Sequence, residues 1–306
     1  MVTAPLAGPM LLTGGSGFVG RRLLASLRGA ELDLRCLVRD ADHLAAVEPP
    51  EPTWRYAPGR LEDPSSYRAA LEGVRTVLHL AATTGKAPRA EHFAVNREAT
   101  RALLEAARAA GVARFVFVSS IAAGFVDRRH YHYAEAKRAA ERAVAESGLD
   151  VAILRPTMIF GPRSPLARGI ARLAALPIGI RFGPGDVLVQ PIHVDDVVAA
   201  IRALAAREPL GGLVVEAGGP EQLSLRELLV RLRERVRGRR GPFLAIPVGP
   251  TRAALALLEP ALLPLLPLTA GQLAGFVNPG VAAPAPPGVI PAPIRTLETM
   301  LAEVES

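Results

Sequence analysis

The sequence predicts an α/β protein, a doubly wound parallel sheet followed by a smaller, partly discontinuous C-terminal domain. Three observations predict it. Short apolar runs alternate with longer helical patterns through the first 155 residues. The runs are apolar throughout instead of at every second position, as in strands covered on both faces. A glycine-rich turn, TGGSGFVG (13–20), joins the first run to the first helix.

PMLLTG (9–14) is the first strand and residues 17–28 the first helix. LDLRCLV (32–38) is a second strand, followed by a short polar helix over 40–47 and a third strand near 54–57. VRTVLHLAA (74–82) is a buried strand, and HFAVNREATRALLEAARAAG (92–111) an amphipathic helix that stops at Gly111. ARFVFVSS (113–120), a helix over 132–147 and VAILRP (151–156) complete the alternation. Beyond Pro156 glycine and proline interrupt the pattern. HVDDVVAAIRALAA (193–206) is a returning helix whose acids Asp195 and Asp196 serve as capping and orienting groups, and 211–217 is a short strand. Proline-broken helices follow, then an extended stretch VAAPAPPGVIPAP (281–293) and a last helix over 294–304. The expected core is 1–156 with about 193–208, and the smaller domain 157–192 with 209–306.

Half of the 306 residues are hydrophobic and 21% charged, a globular composition. Net charge is +7, and 34 of the 36 basic residues are arginine, scattered singly or in pairs. Leu229, Leu232 and Val236 run at helical spacing into and through the densest group, RLRERVRGRR (231–240), which has no interleaved aromatics. A solvated helix face is expected there, not a nucleic-acid site. A lone cysteine, Cys36, excludes an intrachain disulfide and belongs to the core. MVTAPLAGPMLLTGG at the start has no basic leader, so a cytoplasmic protein is expected. LALLEPALLPLLPL (255–268) is interrupted by Glu259 and three prolines and is too short to span a bilayer. Short packed helices are expected there, with contact to a membrane surface as the lesser alternative. Six histidines and one cysteine show no metal-ligand spacing, and no G-x-S-x-G elbow occurs.

Gly14, Gly17 and Gly20 give G-x-x-G-x-x-G between a strand and a helix. The first glycine permits a tight turn, the second lets backbone approach a pyrophosphate, and the third lets helix and strand pack closely. Dinucleotide binding follows. A site for NAD(H) carries Asp or Glu at the end of the second strand, to bind the ribose 2′-hydroxyl. Arg39 stands there, and a guanidinium grips a 2′-phosphate, so NADP(H) is expected over NAD(H). Arg21 and Arg22 add charge nearby, although helix solvation explains them equally well.

YHYAEAK (131–137) holds two of the four tyrosines and one of the two lysines. Tyr133 and Lys137 stand one helical turn apart on one face, and an adjacent ammonium favours phenolate. Tyr131 has Glu135 at that spacing and is expected to be a packing or lid residue, with His130 and His132 at the surface. Ser120, at a strand end facing the helix, is placed to hydrogen-bond a substrate oxygen that Tyr133 protonates.

The glycine register, VSS (118–120), the Tyr133–Lys137 pair and RPTMIFGP (155–162) together resemble the extended and atypical short-chain dehydrogenase/reductases. HLAA (79–82), Asn96 and PIHVDDV (191–197) extend the resemblance over roughly residues 9–206. The short Ser120–Tyr133 span and PLTAGQLAGFVNPGV (267–281) look closest to the branch that includes the accessory subunit of respiratory complex I. The resemblance implies Ser120, Tyr133 and Lys137 as catalytic residues, with Lys137 also holding the nicotinamide ribose. It implies cofactor contacts at Ser16, Phe18, Val19, Ala81, Ala82, Asn96, Ser119 and Pro156 beside the glycines and Arg39. Gly59-Arg60 replaces the family's Gly-Asp pair, with Asp63 nearby. The expected activity is NADP(H)-dependent interconversion of a small, apolar carbonyl and alcohol. The alternatives are a cofactor-binding assembly or membrane-complex subunit and, because the loop is short, more weakly a nucleotide-sugar epimerase. The sequence leaves the oligomeric state open; the resemblance implies a homo-oligomer only by analogy with a family that often forms dimers.

Overall fold

The computed structural model describes residues 6, 8–290, 292 and 294–304; Pro291 and Pro293 of the expected extended stretch lie outside it, as do residues 1–5. The first half runs β1 (Met10–Thr13), α1 (Phe18–Leu27), β2 (Leu34–Val38), α2 (Ala41–Val47), β3 (Trp54–Pro58), β4 (Thr76–His79), α3 (Arg89–Phe93), α4 (Ala99–Ala109), β5 (Arg114–Val118), α5 (His132–Ala145) and β6 (Asp150–Pro156). Then come β7 (Ile159–Phe160), α6 (Pro165–Ala175), β8 (Gly179–Phe182), β9 (Leu188–Val189), β10 (Ile192–His193), α7 (Val194–Ala206), β11 (Leu213–Ala217), β12 (Leu223–Ser224), α8 (Leu225–Arg237), β13 (Phe243–Ile246), α9 (Val248–Leu262) and α10 (Leu297–Ala302).

Seven strands form one parallel sheet in the order β11-β6-β5-β4-β1-β2-β3. The order reverses between β1 and β4, which opens a crevice beyond their carboxyl ends, where doubly wound sheets bind ligands. Leu23, Leu24 and Leu27 of α1 pack with Ile201 and Leu204 of α7 on one face. Leu103, Leu104 and Ala107 of α4 pack with Val144 of α5 on the other. Burial from both sides is why β1 and β5 are apolar or buried at every position. β11 is an edge strand of this sheet although it lies beyond residue 208, because its Val215 and Ala217 are buried in the α7-side core.

The smaller unit packs α6, α8 and α10 around Leu228, Leu232 and Met300. Its parallel pair β8–β13 leads into α9. The arginine-rich face of α8 departs from the expected solvated form at Arg233. That side chain is fully buried, donates to the carbonyls of Ala174, Leu176 and Pro177, and lies over the Phe243 ring. A planar guanidinium satisfies several carbonyls at the end of α6 that its own helix leaves unpaired.

Candidate active site

The glycine turn sits under the crevice. A Cβ on Gly14, whose φ is +78°, would lie 2.5 Å from the Ala81 nitrogen, and one on Gly20 would lie 2.1 Å from the Gly14 oxygen. Both therefore serve close backbone crossings. Gly15 has the same necessity, since its Cβ would meet Cys36 Sγ at 2.3 Å; the sequence pattern did not single it out because it lies outside the spaced triplet. Cys36 is buried and its thiol is pushed up to about 12, so it is an inert core group. The first turn of α1 has no side-chain cap and no acid, which leaves its N–H groups and positive dipole for an anion. Ser16 and Gly17 are exposed at this end, and Phe18 and Val19 are half-buried.

Arg39 follows β2, exposed, with no ion pair or hydrogen bond among the described residues. Its neighbour Asp40 accepts from His43 N at 2.8 Å as the cap of α2. Arg60, beyond the paired strand β3, is exposed beside it. Arg22 takes no part there: it forms a bidentate pair with Asp195, both bonds 2.7 Å. Asp195 and Asp196 also hold Arg295. The cap of α7 is His193, whose Nδ1 accepts from Asp195 N, so the two acids brace arginines and do not cap.

Beyond β4, Ala81 and Ala82 are half-buried against the glycine turn. Asn96 lies in a π-turn (94–98) between α3 and α4, where an extra residue turns its amide inward. It accepts from Thr83 N at 2.8 Å and donates to Thr83 O at 2.9 Å, so it fixes the loop carrying Ala81 and Ala82. Beneath it a buried relay joins Thr13, His79, Thr100 and the Asn96 carbonyl at 2.6, 2.9 and 3.0 Å. Burial lowers His79 to about 3, so it is a neutral strut. Ser119, past the end of β5, has a buried Oγ without a partner, and Pro156 is buried at the end of β6. A nicotinamide dinucleotide fits this crevice: the glycines leave room that a Cβ would fill, and Ser119 holds an unpaired hydroxyl.

Tyr133 opens α5 and Lys137 follows one turn later. Lys137 is 1% exposed, donates to Val118 O at 2.7 Å and lies 4.2 Å from the centre of the Phe117 ring. Burial lowers its ammonium to about 7, opposed by Glu141. Burial also pushes the Tyr133 phenol up to about 12, and the nearby Ser120 hydroxyl pulls the other way. Burial thus holds the phenol above its ordinary value, opposite in direction to the phenolate that an adjacent ammonium favours. Ser120 Oγ accepts from Ala122 N at 3.2 Å, which fixes it at the start of a 3₁₀ turn.

Tyr131 packs between Phe125 and Tyr133, with ring centres 6.5 and 5.9 Å apart, and burial raises its phenol. His92, which no sequence motif marks, stands edge-on to Tyr133 at 6.1 Å with its Nδ1 buried and without a hydrogen-bond partner among the described residues. Its spacing of four from Asn96 was the available signal. The C-terminal segment roofs this end. A Cβ on Gly271 would lie 2.2 Å from the His130 oxygen, and Asn278 donates to Asp127 O at 2.8 Å. A narrow cleft remains, lined by Gly85, Ala87, His92, Tyr133, Glu259 and Thr269.

A family model described as NAD(P)H-binding matches residues 14–168. Sterol demethylase protein B of Methylococcus capsulatus is 31% identical over 278 residues, covering 82% of this chain and 81% of that protein. The chain belongs to the extended short-chain dehydrogenase/reductases. The ceramide reductase of Caulobacter vibrioides is 36% identical over 213 residues, 68% of this chain and 63% of the reductase, so the alignment spans less than two thirds of that relative. The crystal structure of gox2253 shares the fold, with a TM-score of 0.73, 24% identity and 96% of each chain covered. Among the described residues no helix of this reductase-family chain is long and apolar enough to cross a membrane, and no cluster of His, Cys, Asp or Glu is arranged for a metal.

Proposed function

We propose that the chain is an NADP(H)-dependent oxidoreductase that interconverts a carbonyl and a secondary alcohol on an amphiphilic, lipid-like molecule. The carrying observation is Tyr133, one turn from the buried Lys137 and influenced by the nearby Ser120 hydroxyl, at the floor of a roofed cleft. The glycine turn and the α1 N-terminus would hold the pyrophosphate, and Arg39 with Arg60 would hold a 2′-phosphate. Bound there, the nicotinamide supplies or takes up a hydride. Ser120 orients the substrate oxygen and Tyr133 gives it a proton, or removes one in the reverse direction. A phenol at about 12 is a proton donor at neutral pH, which suits the direction of reduction.

The substrate class is supported by two features. The cleft's polar groups, His92, Glu259 and Thr269, suit the polar end of a molecule. The relatives include proteins named for ceramide and for a sterol. The test is Tyr133→Phe assayed with NADPH on long-chain ketones and keto-sterols. Turnover should fall on the order of 10²–10⁴-fold with NADPH affinity retained. A variant as active as the wild type would exclude Tyr133 as the acid.

A further inference from the structure

The outward face of α9 and the turn after it is apolar. Ala254, Leu257, Leu258, Ala261, Leu262 and Leu265 recur at helical spacing, and all are exposed, Leu257 to 82% and Leu265 to 80%. The inward face carries Arg252 and Leu255. A helix on the surface of a globular protein normally shows polar residues on this side. Between residues 253 and 268 the single charged residue, Glu259, turns inward and accepts from Ala270 N.

Cations border the stripe. Lys86 donates to Pro264 O at 3.2 Å and Leu266 O at 2.6 Å, which places an ammonium at its tip. Arg252 binds Asp127 at 2.6 Å and so holds the 125–131 loop against α9. That loop presents Arg128, Arg129 and Val126, the last 91% exposed. Asp127 is neutralised between Arg129 and Arg252. Glu259 and Thr269 line the cleft at Tyr133, so the stripe adjoins the cleft mouth.

We propose that this face docks on an anionic phospholipid bilayer, lying in the interface with Leu257, Leu258, Leu262 and Leu265 in the acyl boundary and Lys86, Arg128 and Arg129 at the head groups. Proline at 260, 264 and 267 breaks the regular backbone that a long partner helix would need, whereas a fluid interface makes no such demand. The cations match anionic head groups, and a protein face of this kind has no charge pattern to set a register. The inference rests on the surface alone and holds whatever the substrate is.

The full chain is floated through a density gradient with vesicles of phosphatidylcholine plus phosphatidylglycerol, and with phosphatidylcholine alone. It should rise with the anionic vesicles and less with the neutral ones. Leu257→Glu with Leu265→Glu should lower partitioning on the order of tenfold or more. Arg128→Ser with Arg129→Ser should reduce the preference for anionic vesicles about fivefold per cation removed. An unchanged rise in melting temperature with NADPH verifies that each variant is folded. The proposal is overturned if the wild type stays down with both vesicles, or if the leucine variant floats equally well. It is also overturned if the wild type sediments as a dimer that the leucine variant dissolves, since a second copy then covers the face.

Discussion

Replacing Lys137 by Met should stabilise the fold while abolishing turnover. The ammonium is 1% exposed and has one carbonyl partner, Val118 O at 2.7 Å, with the Phe117 ring 4.2 Å away. Burial moves it from its ordinary 10.5 to about 7, with Glu141 opposing. At about 1.36 kcal/mol per pH unit, carrying this group costs the fold on the order of 4 kcal/mol at pH 7. The sign follows from proton counts. Between pH 7 and 10.5 the unfolded chain binds a proton that the folded chain has released, so stability rises with pH across that window. Below it both states hold the proton and the penalty is constant. Above about pH 9 the opposite sign enters, because Cys36 and Tyr133, both pushed up to about 12, ionise first in the unfolded chain. Methionine keeps the length of the side chain but loses the Val118 hydrogen bond and the ring contact, together about 1–2 kcal/mol. The net gain should be about 2 kcal/mol at neutral pH, measured by urea denaturation of both proteins between about pH 7 and 9. Wild-type stability should climb across that range, and the variant's should stay flat. A variant less stable than the wild type at pH 7, with a gap that does not shrink at higher pH, would refute the reasoning.

Arg39→Asp should weaken NADPH binding about 10–100-fold and leave NADH binding within a fewfold, in a fluorescence titration. Equal NADPH affinity in both proteins would remove Arg39 from the 2′-phosphate site. Stability should fall in acid between pH 6.5 and about 3, where the unfolded chain protonates His79 and the folded chain does not; His92, lowered by burial, acts in the same direction. His79→Gln should flatten that limb, and an unchanged acid midpoint would count against it. Arg233→Met should lower stability by about 3 kcal/mol, since three carbonyls lose their donor, with NADPH affinity unchanged.

The sheet was legible because its inner strands β1, β4 and β5 are buried at every position while the flanking helices bury one face, which prints distinct periods into the chain. The Tyr133–Lys137 pair was legible for a different reason: lysine is rare here, so its position carried information. The raised phenol was not legible, because desolvation depends on what packs around a side chain and leaves no local pattern. Arg233 was misplaced on a solvated face for the same cause, as the carbonyls it caps lie more than fifty residues away in sequence. Asn96 was found through a family likeness, but its work on the Thr83 peptide comes from a π-turn that no periodicity marks. Asp195 and Asp196 looked like caps because acids favour a first turn, and His193 took the capping position instead.

Both lysines donate to main-chain carbonyls at the two ends of one machine. Lys137 fixes α5 to the end of β5, and Lys86 ties the tip beyond α9 to the loop after β4. A compact ammonium suits such points, where a forked guanidinium would need more room and more acceptors. The loop after β4 is itself pinned by Asn96 through Thr83. Floor and roof of the cleft are therefore joined through the same few residues. The 125–131 loop closes the other side through Arg252 and Asn278. The roof is thus held by polar ties at its rim while its outer face stays apolar, so the proposed contact with a lipid surface would not loosen the site beneath it.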